Sequence, residues 1–536
     1  MTASATRTPP PPLSAPVAAP PVRPRLDGVR GDRLAVAGPT ALAAVLCCLQ
    51  LTGRSLGFDE AATVTIAAQH GAQLGSAIAH DGGNMSGFYV LLHLLMSWFG
   101  NGAVVLRLPS ALGSVATVAF TGMISLRLFG RRAAVAAGLL AAVSLPLIFW
   151  AQNARGYALM VAFVCAAYLV FISLQERSRL AGWIAYAVLM SLATYMSFVA
   201  VLVIPAQLLL LLPRQHRRRL IPFALSLMTM AALCIPLIVL AGRRGSGQLF
   251  WVPRPTREIE VQVLQSLTSA GLEPSFHATA TTTLLLVLTV ALLLAVAVVD
   301  LAQWRRGAGG NGWRGGLVLS WLVTPVLLSF VYSLVFQPLF LPRNLLMSVP
   351  AVAVLLGAGL AHRQLPPRAA WAGLVVLLAL RGLQLAPAYA TSPEPWREAS
   401  AYVLAHDRPG DCIAFYPADG RMAFQYYFAR RSDRTRRLPR PILPVLRFGT
   451  VRTYVEDYAT LTTGQIRRRG GSCRRVWFVS SHEGQPDGPA RSRTNRARFS
   501  QLQARLQQAF GPGRTRQFGY ASAIHVQLLG RPHRAR

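Results

Sequence analysis

Long apolar stretches recur between Leu34 and about residue 387, and they constrain the fold more than any other feature. Hydrophobic residues fill 53 % of 536 positions and charged residues 14 %, against roughly 25 % charged residues in soluble domains. Runs of about 20 apolar residues are long enough to cross a bilayer as helices. The sequence therefore predicts a mainly α, polytopic transmembrane helical bundle.

The two ends of the chain differ from this apolar region. Residues 1–33 are rich in Pro and Ala and cannot bury enough apolar surface to fold, so we predict a disordered cytoplasmic tail. Residues 388–536 are polar. Strand-like runs at 412–416, 476–479 and 523–529 alternate there with amphipathic helices near 396–406 and 499–510. This pattern predicts a small extracytoplasmic α/β domain.

Arginine clusters predict the orientation of the transmembrane domain, residues 34–387. Residues 88–99 are apolar but too short to span, which favours an interfacial helix on the outer surface. About eleven spans are then predicted, at 34–51, 107–128, 133–150, 157–174, 182–198, 199–212, 220–241, 279–299, 317–336, 345–361 and 370–387. The arginine clusters at 131–132, 177–179, 214–219, 305–306 and 363–368 then face the cytoplasm, as the positive-inside rule requires. The N-terminus is therefore predicted inside a bacterial cytoplasmic membrane, and the C-terminal domain outside.

The formal charge of +34 is carried entirely by arginine, because the chain contains no lysine. From residue 387 onward, 26 Arg oppose 10 Asp and Glu. Attraction to anionic headgroups or acidic wall polymers and a merely solvated basic surface both explain this excess. Nucleic acid is not an expected partner, because the predicted topology puts the domain outside the cell.

Six cysteines show no Cys/His spacing typical of a zinc site. Cys412 and Cys473 both lie at the start of predicted strands in an oxidising compartment. A disulfide between them is therefore expected.

Two polar clusters lie in the first predicted exterior loop, residues 53–106. Asp59 and Glu60 directly follow the first span, where ionisable groups are either functional or form a solvated helix N-cap. His80, Asp81 and Asn84 form the second cluster, which is either a ligand set or a Gly-rich turn. Both clusters are candidate site residues.

The order of several motifs resembles the GT-C glycosyltransferases of the protein-mannosyltransferase and family 39 type. The motifs are GFDEAAT, GFYVLLHLL, VVLRLPSALGSVATVAF, LFGRRAAVAAGLLAAVSLPLIFWAQNARGYAL, FWVPRPT and PLFLPRNLLMSVPAVAVLLGAGL. They cover much of the chain from Gly57 to Leu360. The chain departs from the family where many relatives have His-Pro-Pro, here Asn84-Met-Ser-Gly, and where they have Gln-Glu-Ala-Arg, here Gln152 to Arg155 with Asn153 in place of the acid.

The resemblance implies an inverting sugar transfer from a polyprenyl-phosphate donor, with mannose preferred. Asp59 would act as general base for the acceptor hydroxyl, and Glu60 would orient the acceptor or help hold a cation. Arg155, Arg343 and Arg254 would bind the donor phosphate, although arginines at span ends also snorkel toward headgroups. The remaining candidate substrate-binding residues are His80, Asp81, Asn84, Tyr89, Tyr157 and Trp251.

A divalent cation, magnesium or manganese, is conceivable with hard oxygen ligands. Asp59, His80 and Asp81 are possible ligands, as are Glu258 and Glu260, but none has diagnostic spacing. Metal dependence is therefore left open.

Two other functions stay open at this point, a lipid-linked sugar transporter or flippase and a noncatalytic cell-wall assembly protein. A transporter predicts polar residues near the middle of spans, and few are apparent in the sequence. The sugar, the oligomeric state and the acceptor, whether lipid, polysaccharide or protein, do not follow from the sequence.

Overall fold

The chain folds into a helical bundle followed by an α/β domain. A computed structural model describes residues 26–213, 216–245, 252–272, 280–305, 311–430, 438–443, 461–483, 489–519 and 522–530. The helices of the bundle are α1 (Leu26–Cys48), α2 (Phe58–Ala67), α3 (Ala72–His80), α4 (Ser86–Phe99), α5 (Ala103–Phe129), α6 (Arg131–Ala142), α7 (Leu145–Ala151), α8 (Tyr157–Glu176), α9 (Leu180–Met196), α10 (Ile204–Leu211), α11 (Leu220–Leu233), α12 (Ile235–Arg244), α13 (Arg257–Leu267), α14 (Ala280–Arg305), α15 (Asn311–Val335), α16 (Val349–Leu360) and α17 (Pro367–Ala390). Short 3₁₀ turns lie at Phe198–Val203, Arg217–Arg219 and Pro342–Ser348.

Seven of the described helices are long and apolar enough to cross a membrane, and nine spans result if each bent helix pair counts as one. The chain is therefore a multi-pass membrane protein. The predicted spans at 182–198 and 199–212 form shorter apolar helices, so the count of about eleven stays a prediction. Helix α1 begins at Leu26, before the predicted boundary at residue 34, and the rest of the predicted tail, residues 1–25, lies outside the described residues.

Two predicted spans are broken helices. Helices α6 and α7 meet at 55°, and the segment Arg217–Leu233 meets α12 at 61°. Pro146 and Pro236 lie in the first turns after these breaks. Proline has no backbone N–H and clashes with the preceding turn, so each break falls where the sequence cannot continue a straight helix.

Inner and outer helices of the bundle differ in burial. Helix α16 and its preceding turn are mostly buried, whereas α14 and α17 leave large apolar side chains exposed, such as Val298 and Val375. Apolar surface on the outside of such a bundle is suited to lipid. Inside it, α5 approaches α8 closely because Gly113 has no side chain: an added Cβ would lie 2.9 Å from the Ala158 backbone.

Arginines gather at one end of the bundle, opposite the α/β domain. Arg131 pairs with Asp32, Arg127 pairs with Glu176, and Arg314 donates to the Leu128 carbonyl. Arg381 differs from these arginines because it lies inside the bundle. Arg381 of α17 is buried within the bundle and donates to the carbonyls of Leu140 at 2.6 Å and Thr268 at 3.2 Å. The expectation of few polar groups within spans overlooked this charge.

The α/β domain has a five-stranded sheet between helices. Its elements are α18 (Trp396–His406), β1 (Cys412–Tyr416), α19 (Gly420–Ala429), β2 (Arg440–Leu443), α20 (Thr463–Arg469), β3 (Arg475–Ser480), α21 (Pro489–Phe510), β4 (Gly513–Phe518) and β5 (Ile524–Gly530). The strand order is β2-β1-β3-β5-β4, with β2, β1 and β3 parallel and β5 antiparallel to both β3 and β4. The predicted strands and helices are confirmed, and β2, β4, α19 and α20 are additional.

Alternating side chains of the central strands fill two cores. Cys412 and Ala414 of β1 face α20 and α21, whereas Ile413 and Phe415 face α18 and α19. Ala61 of α2 joins the second core, so the domain packs directly on a helix of the loop after α1. The disulfide between Cys412 and Cys473 is present, and it ties the start of β1 to the residues before β3.

Candidate active site

The segment between α1 and α2 is held from both sides by arginines. Arg107 of α5 donates to the carbonyls of Leu51, Arg54 and Ser55 at 2.7 to 3.1 Å. Arg397 of α18 donates to the carbonyls of Thr52, Gly53 and Arg54 at 2.8 to 3.1 Å. Irregular backbone at the end of a span needs such donors, because its carbonyls have no helical partners. This end of the bundle, called the domain end below, thus presents α2 in a fixed position.

Glu60 is buried on the bundle side of α2. Arg107 forms a bidentate pair with it, at 2.8 Å to Oε1 and 2.7 Å to Oε2, and both side chains are at most 2 % exposed. The backbone N–H groups of Ala154 and Gly57 donate to the same two oxygens. Each oxygen therefore accepts two hydrogen bonds from the protein. This geometry suits a residue that fixes α2 and the α7–α8 turn, and the predicted acceptor or cation contact would require breaking these bonds.

Asp59 lies on the other side of α2, and about a third of its side chain is exposed, at 33 %. Its Oδ2 accepts a 2.9 Å hydrogen bond from Nη1 of Arg343, which follows α15 in the chain. Burial alone would raise the pKa of Asp59. The positive charges of Arg155 and Arg343, and to a smaller extent His482, hold this pKa below its ordinary value. Asp59 is therefore an ionised carboxylate between arginines.

Arg155 comes from the turn between α7 and α8 and is 8 % exposed. Its Nη1 donates to Oγ1 of Thr63 at 3.2 Å and lies 3.5 Å from the Asp59 carbonyl. Tyr157 follows it but is buried, with its ring 4.7 Å from that of Trp150. The structure therefore brings Arg155 to Asp59, whereas Tyr157 packs in the core beside them.

The turn His80–Asn84 supplies a second carboxyl to the same site. Gly82 and Gly83 have φ of 72° and 83°, which lets the chain reverse between α3 and α4. Oδ2 of Asp81 then accepts a 2.8 Å hydrogen bond from the Tyr89 hydroxyl of α4. Burial is the main cause that raises the pKa of Asp81 to about 6; the nearby negative charge of Asp59 acts in the same direction, while Arg155 and Arg244 oppose it.

The other predicted residues lie around this site or away from it. Asn84 accepts a 3.2 Å hydrogen bond from the Phe198 N–H. It therefore connects the turn His80–Asn84 to the 3₁₀ turn that follows α9. His80 ends α3 and is half-buried. Arg254 is exposed in the stretch before α13, and Trp251 lies outside the described residues. Their predicted roles stay predictions.

Within the described ranges, no three His, Cys, Asp or Glu side chains group as a metal site would require. Asp59 and Asp81 nevertheless offer the hard oxygen donors that magnesium or manganese prefers. Metal dependence therefore stays open.

Several residues of the site were not predicted from the sequence. Arg107 lies 47 positions after Glu60 in the chain, so the sequence gives no sign of their pairing. Arg244 at the end of α12 interacts electrostatically with Asp81. Glu394 and His482 of the α/β domain reach the first turn of α2. These contacts join segments far apart in the chain, so no local motif signals them.

Comparisons with known proteins fit this architecture. Residues 87–241 match the family model described as dolichyl-phosphate-mannose-protein mannosyltransferase. No curated protein matches the sequence significantly.

Solved structures of two transferases share the fold. ArnT from Cupriavidus metallidurans, bound to undecaprenyl phosphate, has a TM-score of 0.54 at 12 % identity, covering 92 % of this chain and 98 % of ArnT. The Archaeoglobus fulgidus oligosaccharyltransferase, in complex with zinc and sulfate, has a TM-score of 0.51 at 12 % identity, covering 92 % and 72 % of the two chains. The same archaeal enzyme, AglB, with an inhibitory peptide and a dolichol-phosphate, has a TM-score of 0.50 at 11 % identity, with 92 % and 74 % covered. Residues 87–241 thus match a mannosyltransferase family model, and they lie within a multi-pass membrane chain that shares the fold of these solved proteins.

Proposed function

We propose that this enzyme transfers a sugar, with mannose preferred, from a polyprenyl-phosphate carrier to an acceptor hydroxyl on the outer face of a bacterial cytoplasmic membrane. The observation that carries the proposal is the Asp59–Arg343 pair, with Arg155 beside it. Three separate segments supply a carboxylate and two cations to one point at the domain end. A base and a phosphate-binding pair are the groups that such a transfer needs.

The carrier is inferred from charge and from the relatives. Arg155 and Arg343 would contact the phosphate oxygens of the donor, and Arg254 would approach from the exposed loop before α13. ArnT bound to undecaprenyl phosphate and AglB with dolichol-phosphate support a polyprenyl-phosphate carrier. The description of the matching family model supports mannose.

The chemical step is a single displacement at the anomeric carbon. The acceptor oxygen forms a bond to that carbon as the bond to the phosphate oxygen breaks, and the bonding electrons leave with the polyprenyl phosphate. Asp59 takes the hydroxyl proton, and Arg155 and Arg343 stabilise the charge that grows on the leaving phosphate. Attack from the face opposite the phosphate inverts the anomeric configuration.

The lowered pKa of Asp59 fits this sequence of events. A carboxylate held between two arginines is a weak base. A bound donor phosphate would compete for the same arginine charges, which would raise the pKa of Asp59 toward its ordinary value. Asp59 would therefore become a stronger proton acceptor when the donor is bound.

The orientation is inferred from the arginines at the far end of the bundle. Arg131, Arg127 and Arg314 lie at that end, away from the α/β domain and Asp59. The positive-inside rule assigns this end to the cytoplasm. The α/β domain and the site would then face outward, where a lipid or polysaccharide acceptor is slightly preferred over protein because the domain is basic.

The test is sugar transfer by purified protein in lipid bilayers, with a panel of radiolabelled polyprenyl-phosphate sugars and a membrane and wall extract. Asp59→Asn keeps the size of the side chain and removes the base, so transfer from the accepted donor should fall about 10²- to 10⁴-fold. Asp32→Asn is the matched control, because Asp32 is an exposed carboxylate at the opposite end of the bundle.

Two results would contradict parts of the proposal. Transfer that persists in Asp59→Asn but falls in Asp81→Asn would assign the proton to Asp81, whose pKa of about 6 also suits a base. Wild-type protein that transfers no sugar from any donor would contradict the proposed function.

A further inference from the structure

The α/β domain is in direct contact with the first turn of the helix that carries Asp59. The N–H of Phe58 donates to Oε2 of Glu394 at 2.5 Å, and the N–H of Leu56 donates to the Tyr427 hydroxyl at 2.6 Å. Ala61, one turn further, lies in the core formed by α18, α19 and the sheet. The position of Asp59 therefore depends on the domain as well as on the membrane helices.

Glu394 replaces a missing helix cap. The first N–H groups of a helix have no partner within the helix, and the N-cap side chain usually supplies one. The N-cap of α2 is Gly57, which has no side chain, and Glu394 satisfies one of the unpartnered N–H groups by accepting a hydrogen bond from Phe58. Glu394 packs against this glycine, with its Cδ 3.6 Å from the position that a Cβ would occupy. Its negative charge also suits the positive end of the helix dipole.

His482 adds a second contact from the same domain. Its ring lies against Phe58 with 5.4 Å between centroids, and its Nε2 is 3.7 Å from Oε1 of Glu394. His482 also interacts electrostatically with Asp59. It follows β3, so the carboxyl end of the parallel strands faces the site, where α/β sheets commonly hold their functional groups.

We propose that Glu394 and His482 are a positioning pair through which the α/β domain sets the orientation of Asp59 for sugar transfer. The inference rests on the proposed function and assigns the domain a part in the reaction. The pair contacts the first turn of α2, whereas Arg155 donates to Thr63 and Arg343 donates to Asp59. Its loss should therefore reduce kcat while leaving the donor KM nearly unchanged.

The first experiment measures hydrogen exchange of the full-length protein in lipid nanodiscs, over a peptide spanning residues 53–67. Glu394→Ala removes the acceptor of the Phe58 N–H, so exchange in the first turn of α2 should accelerate about 10- to 100-fold. Glu394→Gln keeps an oxygen acceptor and should exchange nearly as slowly as wild type. Glu398→Ala, an exposed carboxylate on the same helix α18, is the matched control and should not change exchange.

The second experiment measures kcat and donor KM of the same variants. Glu394→Ala should lower kcat about 10-fold or more with KM within about 3-fold of wild type, and Glu394→Gln should recover part of the loss. If the two residues act as a pair, Glu394→Gln with His482→Ala should lose less than the product of the two single losses.

Three outcomes would overturn the proposal: unchanged exchange in Glu394→Ala, exchange in Glu394→Gln as fast as in the alanine variant, or strictly multiplicative losses in the double variant. The exchange experiment needs no donor, so a failed cap can be distinguished from a wrong assignment of sugar transfer. If Glu394→Ala does not fold, the glutamine and His482 variants carry the test.

Discussion

The two sides of helix α2 carry neighbouring carboxylates in different environments. On the bundle side, Glu60 is 2 % exposed, and its oxygens accept four hydrogen bonds from Arg107 and the backbone. On the opposite side, Asp59 is a third exposed and pairs with Arg343. The two carboxylates are neighbours in the chain but differ in burial and in hydrogen bonding. These two properties distinguish Glu60, which fixes α2, from Asp59, the proposed base.

The largest effect is expected when the Glu60 side chain is removed. Glu60→Ala leaves Arg107 as an uncompensated buried charge, which should lower the free energy of unfolding by about 3 to 5 kcal/mol. Thermal unfolding of the purified protein in lipid or detergent measures the loss. Glu176→Ala, which breaks the exposed pair with Arg127, is the control and should cost less than about 1 kcal/mol. A stable Glu60→Ala variant that has lost only transfer would place Glu60 among the reacting groups.

A smaller effect is expected at Arg343, beside Asp59. Arg343→Gln removes the charge proposed to contact the donor phosphate, so donor KM should rise about 10- to 100-fold. The same change removes a cause of the lowered pKa of Asp59, so this pKa should rise. Steady-state kinetics at several pH values measure both effects, with Arg363→Gln, an exposed residue at the other end, as control. An unchanged KM would remove Arg343 from the phosphate site.

Arg254 tests whether an exposed arginine contributes less to donor binding than a buried one. It is exposed before α13, whereas Arg155 is buried at Asp59. Arg254→Gln should raise donor KM only a few-fold, because exposed charges contribute little. An effect as large as that of Arg343→Gln would make the α13 loop a principal part of the donor site.

A separate effect, on stability rather than on transfer, concerns Asp81 and pH. Its folded-state pKa of about 6 lies above the ordinary value of 3.8, so the folded state binds more protons than the unfolded state between these values. The stabilisation is fully present below pH 3.8 and is lost as pH rises through 6, by about 3 kcal/mol. Asp81→Asn should lack this pH dependence in unfolding experiments from pH 4 to 7. A variant with the wild-type dependence would assign it to another group.

Local patterns predicted most of the helices, including the short apolar helix α4, and the disulfide. The length of the apolar runs predicted most of the long apolar helices, because a helix must be about 20 residues long to cross a bilayer. The strand-like run that begins at Cys412 predicted β1. Pro146 and Pro236 are present in the sequence as signals for the two bends. The prediction nevertheless treated each long apolar run as one straight span. Asp59 was predicted as a candidate from its position after the first span.

The parts that could not be predicted depend on packing between distant segments. Glu394 contacts Phe58 only because the α/β domain packs on α2. No sequence motif around either residue indicates this contact. The different environments of Asp59 and Glu60 likewise depend on which face of α2 meets Arg107. Adjacent acidic residues look alike in a sequence, whereas their surroundings are set by tertiary structure.

The buried Arg381 has a consequence for how the protein is made. A lone arginine in the middle of an apolar helix costs about 2.5 to 3.5 kcal/mol when the translocon releases that helix into lipid. Helix α17 is the last apolar helix among the described residues. The segments bearing the acceptors of Arg381, the carbonyls of Leu140 and Thr268, precede it in the chain and leave the ribosome first. The order of synthesis therefore allows α17 to insert against a partly assembled bundle. The Arg381 guanidinium can then donate to these carbonyls as soon as the helix inserts.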